Sequence, residues 1–353
     1  MTIKEIARRA GVSKGAVSYA LNGRPGVSEA TRARVLQVAA ELDWAPNSAA
    51  RSLSGARSRT VGLVVTRPAE ALGAETFFAR FVAGVESVLG PRGHGLLLQV
   101  VPAAETEEAT LRAWARERRV DGVVLLDPRR EDPRVGLVAA LGLPAVVVGD
   151  PTLAGGLPCV WKDDAAAVAA AADHLVARGR TRIGRVAGPE ELGHTGIRDA
   201  ALVAAAARCG ATAVVRHTDF GAAAAAAATL ELVRGAERVD GLLFDTDLMA
   251  VAGLSALLGA GLRVPEDVAV VAWDDSVLCT VTHPQLTAVG HDLLAYGAAV
   301  ADLLVRQTAS EPVVDVEVEA PDLRVRASTG GTGCGVPRRS GCAGTGAADR
   351  PGS

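Results

Sequence analysis

Residues 2–53 read TIKEIARRAGVSKGAVSYALNGRPGVSEATRARVLQVAAELDWAPNSAARSL, and this stretch predicts three short helices, a linker and a fourth helix. Thr2 and Glu5 have the spacing of a capping box at the start of the first helix. The apolar face of that helix is predicted to comprise Ile3, Ile6, Ala7 and Ala10. Gly11 is suited to end the helix, because glycine readily adopts positive φ.

A second and a third helix follow at close spacing. Ser13 is a suitable N-cap for a helix over residues 14–21, and Ser28 for one that ends at Glu41. The side chains predicted to point inward are Ala16, Val17, Ala20 and Leu21 in the second helix and Val35, Leu36, Ala39 and Leu42 in the third. Two helices joined by a tight turn that contains glycine form a helix-turn-helix.

The charge of this segment indicates a nucleic-acid partner. Residues 1–59 contain ten basic and four acidic side chains, whereas the whole chain carries a net charge of −3. A basic module on an acidic body is suited to phosphate binding by the module alone. On charge and periodicity, a structural three-helix unit with a solvated basic face remains the alternative.

These residues resemble the headpiece of the lactose-repressor (LacI/GalR) family of transcription regulators. The resemblance implies double-stranded operator DNA as the partner, with residues 13–21 as the recognition helix in the major groove. It places Lys14, Gly15 and Tyr19 at base-reading positions and Ser13, Ser18 and Asn22 near phosphates. Tyr19 stands where the family usually has Arg, and Gly15 where a longer side chain is common. Both departures remove hydrogen-bonding groups, so the operator sequence stays open.

Residues 46–53, PNSAARSL, resemble the hinge helix of the same family. Pro46 and Asn47 are suitable at a helix start, but the segment is too short to be helical alone in water. The resemblance implies that two copies pair over the operator centre, with Asn47, Ala50 and Arg51 near the DNA. Leu53 then matches an apolar wedge that unstacks a base step. An ordinary flexible linker remains the alternative.

Composition bounds the rest of the chain. Its 353 residues exceed one ordinary domain, and the 49% hydrophobic content suffices for a core although aromatics are only 3%. We expect neither a membrane span nor a signal region, because no run of eighteen apolar residues occurs and the N-terminus starts on a helix. Five cysteines without a close pair in the folded part are typical of a reducing compartment, so we expect a cytoplasmic protein.

From Thr60 onward, apolar runs alternate with helical segments, which predicts α/β units with parallel sheets covered on both faces. The length suits two lobes. The predicted strands are residues 60–65, 95–101, 122–126, 145–148, 181–186, 211–216, 241–244 and 268–272. The predicted helices are residues 77–89, 105–119, 163–178, 196–209, 222–233, 248–260 and 292–307.

The resemblance extends over this body, through segments such as VDGVVLLD, VDGLLFDTDLMAVAGLSALLGAGLRVPEDVAVVAWDDS and LRVRAST. It implies an all-α helix-turn-helix headpiece followed by an α/β two-lobed core like that of periplasmic binding proteins, with a ligand in the cleft between lobes. The expected units are the headpiece 1–45, the hinge and linker 46–57, the core 58–329 and a disordered tail 330–353. Within the core, lobe 1 is expected at about 58–160 and 290–320, and lobe 2 at about 162–288 and 321–329. The expected crossings lie near Trp161, residues 289–290 and residues 320–322.

Candidate effector-binding residues lie where strands end, because loops converge there in open α/β sheets. By resemblance, Asp274 matches the family's effector-binding Asp, Arg198 its hydroxyl- or carboxylate-gripping Arg, and Asp247 the Asp of an Asn-Asp pair. Trp273 either stacks on a ring or packs in the lobe, and a surface helix charge is the alternative for Arg198. Further candidates, some of which are also candidates for the core, are Asp150, Phe77, Phe78 and Phe220. Of Asp163 and Asp164, one is expected to cap a helix. His283 and His291 are expected to be structural, whereas His194 is a candidate for the cleft.

Several features of the family are missing, which leaves the identity of the effector open. The first cleft loop lacks the usual Asn-Pro-Phe-Phe, Thr246 replaces an Asn, and Ala201 replaces a Gly. We expect no cofactor, and no metal site, because Cys334 and Cys342 are too few to form one.

The sequence therefore predicts a ligand-responsive DNA-binding regulator, a repressor of sugar or related catabolic genes that acts as a homodimer. Its effector would be a sugar or sugar derivative. The sequence contains no nucleophile elbow, phosphate-binding loop or paired metal-ligand histidines, so an enzyme is not expected. The alternatives are an activator and a solute-binding protein. A tetramer is disfavoured, because the tail lacks heptads.

Overall fold

The structure is a computed structural model that describes residues 2–21, 24–42, 44, 57–67, 73, 75–236 and 238–330. Helices and strands are numbered along the chain within these ranges. Ile3–Ala10 (α1), Lys14–Leu21 (α2) and Glu29–Glu41 (α3) form a small bundle. Ile6, Val17 and Val35, one from each helix, are fully buried against one another at its centre. The three predicted helices of residues 2–41 are thus confirmed.

Local hydrogen bonds set the ends of these helices. The Ser13 hydroxyl accepts from the Ala16 amide at 3.1 Å, and the Ser28 hydroxyl accepts from the Thr31 amide at 3.3 Å, so both predicted caps are confirmed. Gly11 has a φ of 65°, as expected of a helix C-cap. The capping box at Thr2 is wrong: within the described residues Thr2 makes no side-chain cap bond.

The physical reason lies in the partner that Glu5 finds instead. Its carboxylate forms ion pairs with Arg8 and Arg9, one turn further along α1, which draw it away from the helix start. The prediction for Leu36 is also wrong, since it is 47% exposed. Val35 and Ala39 define the buried face of α3, and Leu36 is turned about 100° away from that face at 3.6 residues per turn.

Two six-stranded sheets build the body. The first contains β1 (Thr60–Thr66), β2 (Gly95–Val101), β3 (Gly122–Leu125), β4 (Ala145–Val148), β5 (Cys159–Trp161) and β11 (Val316–Glu317). Its spatial order is β11-β5-β4-β3-β1-β2, with all pairs parallel. β1 and β3 are almost entirely buried, as strands covered on both faces should be. We call this sheet and its helices lobe 1.

The second sheet contains β6 (Arg182–Ala187), β7 (Thr212–His217), β8 (Gly241–Phe244), β9 (Ala269–Trp273), β10 (Thr287–Gly290) and β12 (Asp322–Arg324). Its order is β12-β10-β9-β8-β6-β7, and only β12, among these described strands, runs antiparallel to its neighbour. This sheet and its helices form lobe 2. The α/β two-lobed class predicted from the alternation is confirmed.

The chain passes between the lobes three times. It leaves lobe 1 after β5, returns from lobe 2 after β10, and crosses again between β11 and β12. The helices of the body are α4 (Thr76–Leu89), α5 (Ala104–Glu117), α6 (Pro133–Leu141), α7 (Asp164–Ala177), α8 (Gly193–Arg208), α9 (Ala222–Arg234), α10 (Asp247–Gly259), α11 (Val277–Val281) and α12 (Leu293–Thr308).

Helices α4 and α12 pack closely because glycines lie at their crossing. A Cβ on Gly84 would lie 2.2 Å from the Leu294 carbonyl oxygen, and one on Gly297 would lie 2.2 Å from that of Phe81. Each contact is with backbone, so a side chain could enter only if the helices separated. This close packing against α4 holds α12, the helix that follows the return of the chain after β10, in lobe 1.

The predicted strands agree with the observed ones to within one residue at each end, and the predicted helices to within three. Sequence patterning missed α6, α11, β5, β10, β11 and β12. β5, β11 and β12 have only two or three residues, too few to produce an alternating pattern. Among the described helices, none is long and apolar enough to cross a membrane.

Candidate functional site

A cleft of about 880 Å³, partly open to solvent, is lined by residues of both lobes. Parallel strands present their carboxyl ends at one edge of each sheet, and the loops that follow them meet here. The lining residues within two positions of a strand end are Arg67, Leu126, Asp127, Gly149, Asp150, Lys162, Asp163, Asp245, Thr246, Asp274 and His291. Helices and the loops before α4 and α9 add Glu75, Phe77, Phe78, Asp164, His194, Arg198, Phe220 and Tyr296.

The structure brings most of the predicted effector residues together. Seven of them line the cleft, namely Asp150, Arg198, Trp273, Asp274, Phe77, Phe78 and Phe220. Asp247 is not among the lining residues. It is buried beside the cleft, where it accepts hydrogen bonds from the Thr76 hydroxyl of lobe 1 and from the Leu248 amide. Contact of any of these residues with an effector stays a prediction.

Arg198 is 6% exposed, so the alternative of a surface charge is wrong. Its Nε donates to Asp164 Oδ2 at 2.8 Å, and its Nη1 lies 3.5 Å from Asp245 Oδ1. The guanidinium carbon lies 3.9 Å from the centroid of the Trp273 ring. A cation held against an aromatic face and a carboxylate is strongly fixed in orientation.

Lys162 is the second cation beside Trp273 in the cleft. Its Nζ pairs with Asp164 and lies 5.3 Å from the Trp273 centroid. Burial lowers the pKa of Lys162, although Asp164 opposes the shift. For Asp164, burial alone would raise the pKa, but Arg198 and Lys162 bring it far below its ordinary value. Trp273, which could have stacked on a ligand, therefore supports two protein cations.

The two acidic residues at the start of α7 divide the expected roles. Asp163 accepts from the Ala166 amide at 2.8 Å and caps the helix, as expected of one member of the pair. Asp164 instead holds the two cations of the cleft wall.

Asp245 anchors the cleft to the interior of lobe 2. Both of its oxygens accept from Arg185 Nη2 at 2.7 Å, and Oδ2 also accepts from the Gly188 amide at 2.8 Å. Burial alone would raise its pKa, but Arg185 and Arg198 overcome burial and lower it to about 2. Asp245 is therefore ionised and rigidly placed.

Asp274, Glu75 and His291 differ from the paired residues of the cleft. Each has buried polar atoms without a hydrogen-bond partner among the described residues. These atoms are Asp274 Oδ1, Glu75 Oε1 and both ring nitrogens of His291. His291 Nε2 lies 3.5 Å from Asp274 Oδ1, and Asp274 has a φ of 66°, unusual for a residue other than glycine. A buried polar atom without a partner is costly, so such a group in a cleft indicates a ligand that supplies one.

Burial also perturbs the titration of these three groups. It raises the pKa of Asp274 to about 7 against the opposing effect of Lys162, and that of Glu75 to about 7 against Arg67. It lowers the pKa of His291 well below its ordinary value, and Lys162 lowers it further. Near neutral pH the cleft therefore offers a neutral imidazole and two carboxyls poised between their protonated and ionised forms. Perturbed groups of this kind cluster at functional sites.

Arg67 connects the two lobes across the cleft. Its Nη2 donates to Asp127 Oδ2 at 2.7 Å, and its guanidinium carbon lies 4.6 Å from the centroid of the Phe220 ring of lobe 2. A Cβ on Gly188 would lie 2.2 Å from Phe220, so this ring rests directly on the backbone. Phe220 itself has a φ of 66°.

Phe78 and Asp150 have structural partners in addition to their place in the cleft. Phe78 belongs to the buried core of lobe 1 and packs edge-on against Phe77, with 5.3 Å between ring centroids. Asp150 accepts from the Thr152 amide at 2.9 Å and caps the short turn Pro151–Leu153.

Sequence reasoning missed Arg67, Glu75, Asp127 and Lys162, and took His291 as structural. Arg67, Asp127, Lys162 and His291 follow a strand within two positions, which was an available signal. Glu75 precedes α4 and carried no comparable signal. His194, a weak candidate, does line the cleft, and burial together with Arg198 lowers its pKa to about 4.

The predicted nucleic-acid interface lies on α2. Ser13, Lys14, Gly15 and Tyr19 are exposed along this helix and Ser18 is half-buried. Tyr19 is 44% exposed, and its ring borders Gly26. The remaining predicted DNA contacts, Asn22, Asn47, Ala50, Arg51 and Leu53, lie outside the described residues, as does the tail 331–353.

Among the described residues, no group of three or more His, Cys, Asp or Glu side chains has the arrangement of a metal site. A basic helix-turn-helix joined to a two-lobed body with a polar interlobe cleft defines a class of ligand-binding DNA regulators.

Comparison with known proteins agrees with this class. Residues 2–47 match the model of bacterial regulatory proteins of the lacI family, and residues 172–329 match the periplasmic binding protein-like domain. The chain is 36% identical over 327 residues to the HTH-type transcriptional regulator CelR of Thermobifida fusca, covering 90% of this chain and 94% of the relative. It belongs to the LacI family and is a DNA-binding transcription regulator.

Solved structures give the same result. A CelR–cellobiose complex superposes with a TM-score of 0.70 at 33% identity and covers 93% of this chain and 99% of its own. The lac repressor dimer bound to operator and the anti-inducer ONPF superposes with a TM-score of 0.79 at 25% identity, with the same coverage of both chains.

Proposed function

We propose that this regulator is a repressor of sugar or related catabolic genes whose operator affinity is set by a small polyhydroxylated effector in the interlobe cleft. It acts in the cytoplasm, as a homodimer that reads a pseudo-palindromic operator through two α2 helices. The functional units are the headpiece 1–45, the hinge 46–57, the core 58–329 and the tail 330–353.

The observation that carries the proposal is the set of buried, unpartnered polar atoms of Asp274, Glu75 and His291 between the lobes. Carboxyl oxygens accept from hydroxyl groups, and imidazole both donates and accepts. Arg198 and Lys162 are already paired with Asp164, which disfavours a multiply charged anion as the ligand. A neutral sugar or sugar derivative supplies donors and acceptors without added charge.

The DNA half of the proposal rests on the exposed face of α2. Lys14 and Tyr19 project from it, and Gly15 leaves its surface open. Tyr19 brings a ring that fits a thymine methyl and a hydroxyl that reaches a phosphate. Removal of the Tyr19 ring is therefore expected to lower the affinity for the operator and the preference for the base pair that Tyr19 contacts.

Dimerisation is supported by apolar side chains exposed on the body. Leu98 and Val100 lie on β2, the edge strand of the first sheet, and Val277 and Val281 lie on α11. Exposed apolar residues on an edge strand or a short helix are typical of surfaces covered by a partner. A second copy of the chain would cover them and bring two headpieces together.

Coupling between effector and operator is an energetic linkage. An effector that prefers one arrangement of the lobes changes the spacing of the two hinge segments and hence the affinity for DNA. A tenfold change in operator affinity corresponds to about 1.4 kcal/mol of coupling.

The test is selection of bound duplexes from a randomised DNA pool by the full chain at about 150 mM salt, since low salt favours phosphate contacts alone. We expect a pseudo-palindrome, and loss of its binding when Lys14→Ala and Tyr19→Ala are combined. Titration of neutral mono- and oligosaccharides into the complex should then release the protein. Asp274→Ala should abolish release while leaving the selected operator bound.

One alternative gives another outcome. An activator would bind the same operator, but expression of a reporter placed behind it would fall when the regulator is removed.

A further inference from the structure

A second cavity, also partly open to solvent, lies next to the cleft and again between the lobes, with about 680 Å³ of space when the open part is included. Lobe 1 contributes Thr66, Glu107 and Arg129 to its lining, and lobe 2 contributes Glu191 and Asp219. The loops of the two lobes meet beside this cavity, where the Gly193 amide donates to the Pro128 carbonyl at 2.8 Å. None of its lining had been predicted as functional except Phe220.

The cleft and the second cavity share a wall. Arg67, Leu126, Asp127 and Phe220 line both spaces. Within this wall the Arg67 guanidinium carbon lies 4.6 Å from the centroid of the Phe220 ring, and Arg67 Nη2 donates to Asp127. Arg67 Nε is buried and makes no hydrogen bond to a described residue, but it lies 3.7 Å from Glu75 Oε1, and the Arg67 side chain is only 10% exposed. A ligand that crosses this wall would compete with Glu75 for this donor.

The lining of the second cavity has the chemistry of a carbohydrate site. Pro189, Leu192 and Phe220 offer apolar surface to the faces of a sugar ring, and Asp219 and Glu191 offer acceptors at its edge. The deeper charges are already paired, since Glu107 binds Arg134 and Arg129. With its cations held by carboxylates, this space suits a neutral hydroxylated group and not a phosphate.

We propose that the second cavity is a subsite for an oligosaccharide, whose other end occupies the cleft and whose chain crosses the wall at Arg67 and Phe220. This inference rests on the proposed function. It makes the effector a chain of at least two sugar rings, and it assigns Glu191 and Asp219 to the recognition of its far end.

The test measures the affinity of the full chain for glucose and for cello- and malto-oligosaccharides of two to four units by calorimetry. In one of the two series, affinity should rise at least tenfold from glucose to the trisaccharide. Glu191 is exposed at the rim of the second cavity, so Glu191→Trp should narrow that space without disturbing the core. It should reduce trisaccharide affinity at least tenfold and leave glucose affinity within about twofold.

Glu190→Trp is the matched control, because Glu190 is exposed next in sequence but does not line the cavity. It should leave all affinities unchanged. Binding that does not depend on chain length, or that is insensitive to Glu191→Trp, would overturn the subsite while the cleft function stands. If no sugar of either series binds, both the subsite and the sugar effector are wrong.

Discussion

The guanidinium carbon of Arg198 lies 3.9 Å from the centroid of the Trp273 ring while its Nε donates to Asp164. Three elements meet in this contact, because Arg198 lies on α8, Asp164 begins α7 and Trp273 ends β9. The contact therefore fixes the wall of the cleft in lobe 2.

Replacing Arg198 by Met should destabilise the body by about 3 kcal/mol, because it leaves Asp164 and Asp245 buried with one cation fewer. Urea unfolding followed by circular dichroism measures the change. Arg208→Met is the matched control on the same helix, where the pair with Asp173 is exposed, and should leave the midpoint nearly unchanged. Equal effects of the two substitutions would contradict the assigned role of Arg198.

Asp274→Asn should stabilise the protein, and increasingly so as the pH rises. Burial raises the pKa of Asp274 to about 7 despite Lys162, so between about pH 4 and 7 the folded state keeps a proton that the unfolded state has released. Wild-type stability is therefore lost through this window, by at most about 4 kcal/mol for a shift of about three units. Urea midpoints of both proteins at pH 5, 6, 7 and 8 should diverge; parallel profiles would contradict the buried, uncompensated carboxyl.

Asp245→Asn should have the opposite effect, although Asp245 follows a strand of the same sheet. Arg185 and Arg198 overcome burial and lower the pKa of Asp245 to about 2, so its contribution is fully present above about pH 4 and is lost as the pH falls toward 2. At pH 7 the variant should lose about 3–5 kcal/mol, as expected when one member of a buried ion pair is removed. Thermal unfolding at pH 7 and pH 3 would show whether the difference shrinks in acid.

Gly15→Ala should stabilise the headpiece by about 0.5–1 kcal/mol, because alanine is the better helix former. The added Cβ would have only Ser13 Oγ nearby, at 3.8 Å. Hydrogen exchange of the amides of Val17 and Ala20 in the full chain measures the change. Gly26→Ala is the control and should destabilise, since Gly26 has a φ of 115° and a Cβ would meet the Tyr19 ring at 3.2 Å. Faster exchange in Gly15→Ala would rule out this account of α2.

The sequence predicted the residues that end strands better than it predicted their partners. Asp274 could be selected because it directly follows a buried parallel strand and matches the effector-binding Asp of the family, and Trp273 because it stands at the family's aromatic position at the end of that strand. Arg67 and Lys162 also directly follow strands, but what makes them important is a neighbour distant in sequence, which is Phe220 for Arg67 and Trp273 for Lys162. Glu75 follows no strand, and only the folded structure places it in the cleft. Asp247 was a reasonable candidate, but Thr76 from the other lobe occupies its carboxylate.

By itself, the sequence determined the helix-turn-helix, the alternation of strands and helices and the two-lobed class, because helix caps and hydrophobic periodicity are local properties. Leu36 and Thr2 show the limit of such rules. An apolar side chain is buried only if another element packs against it, and a capping residue forms its hydrogen bond only if its partner side chain is not bound elsewhere. Only the tertiary structure decided which cleft carboxyls are fully ionised near neutral pH and which are poised between their protonated and ionised forms. The pKa of each carboxyl depends on its burial and on its distance from Arg185, Arg198 and Lys162. Both arise only when the strands of lobe 2 are assembled side by side.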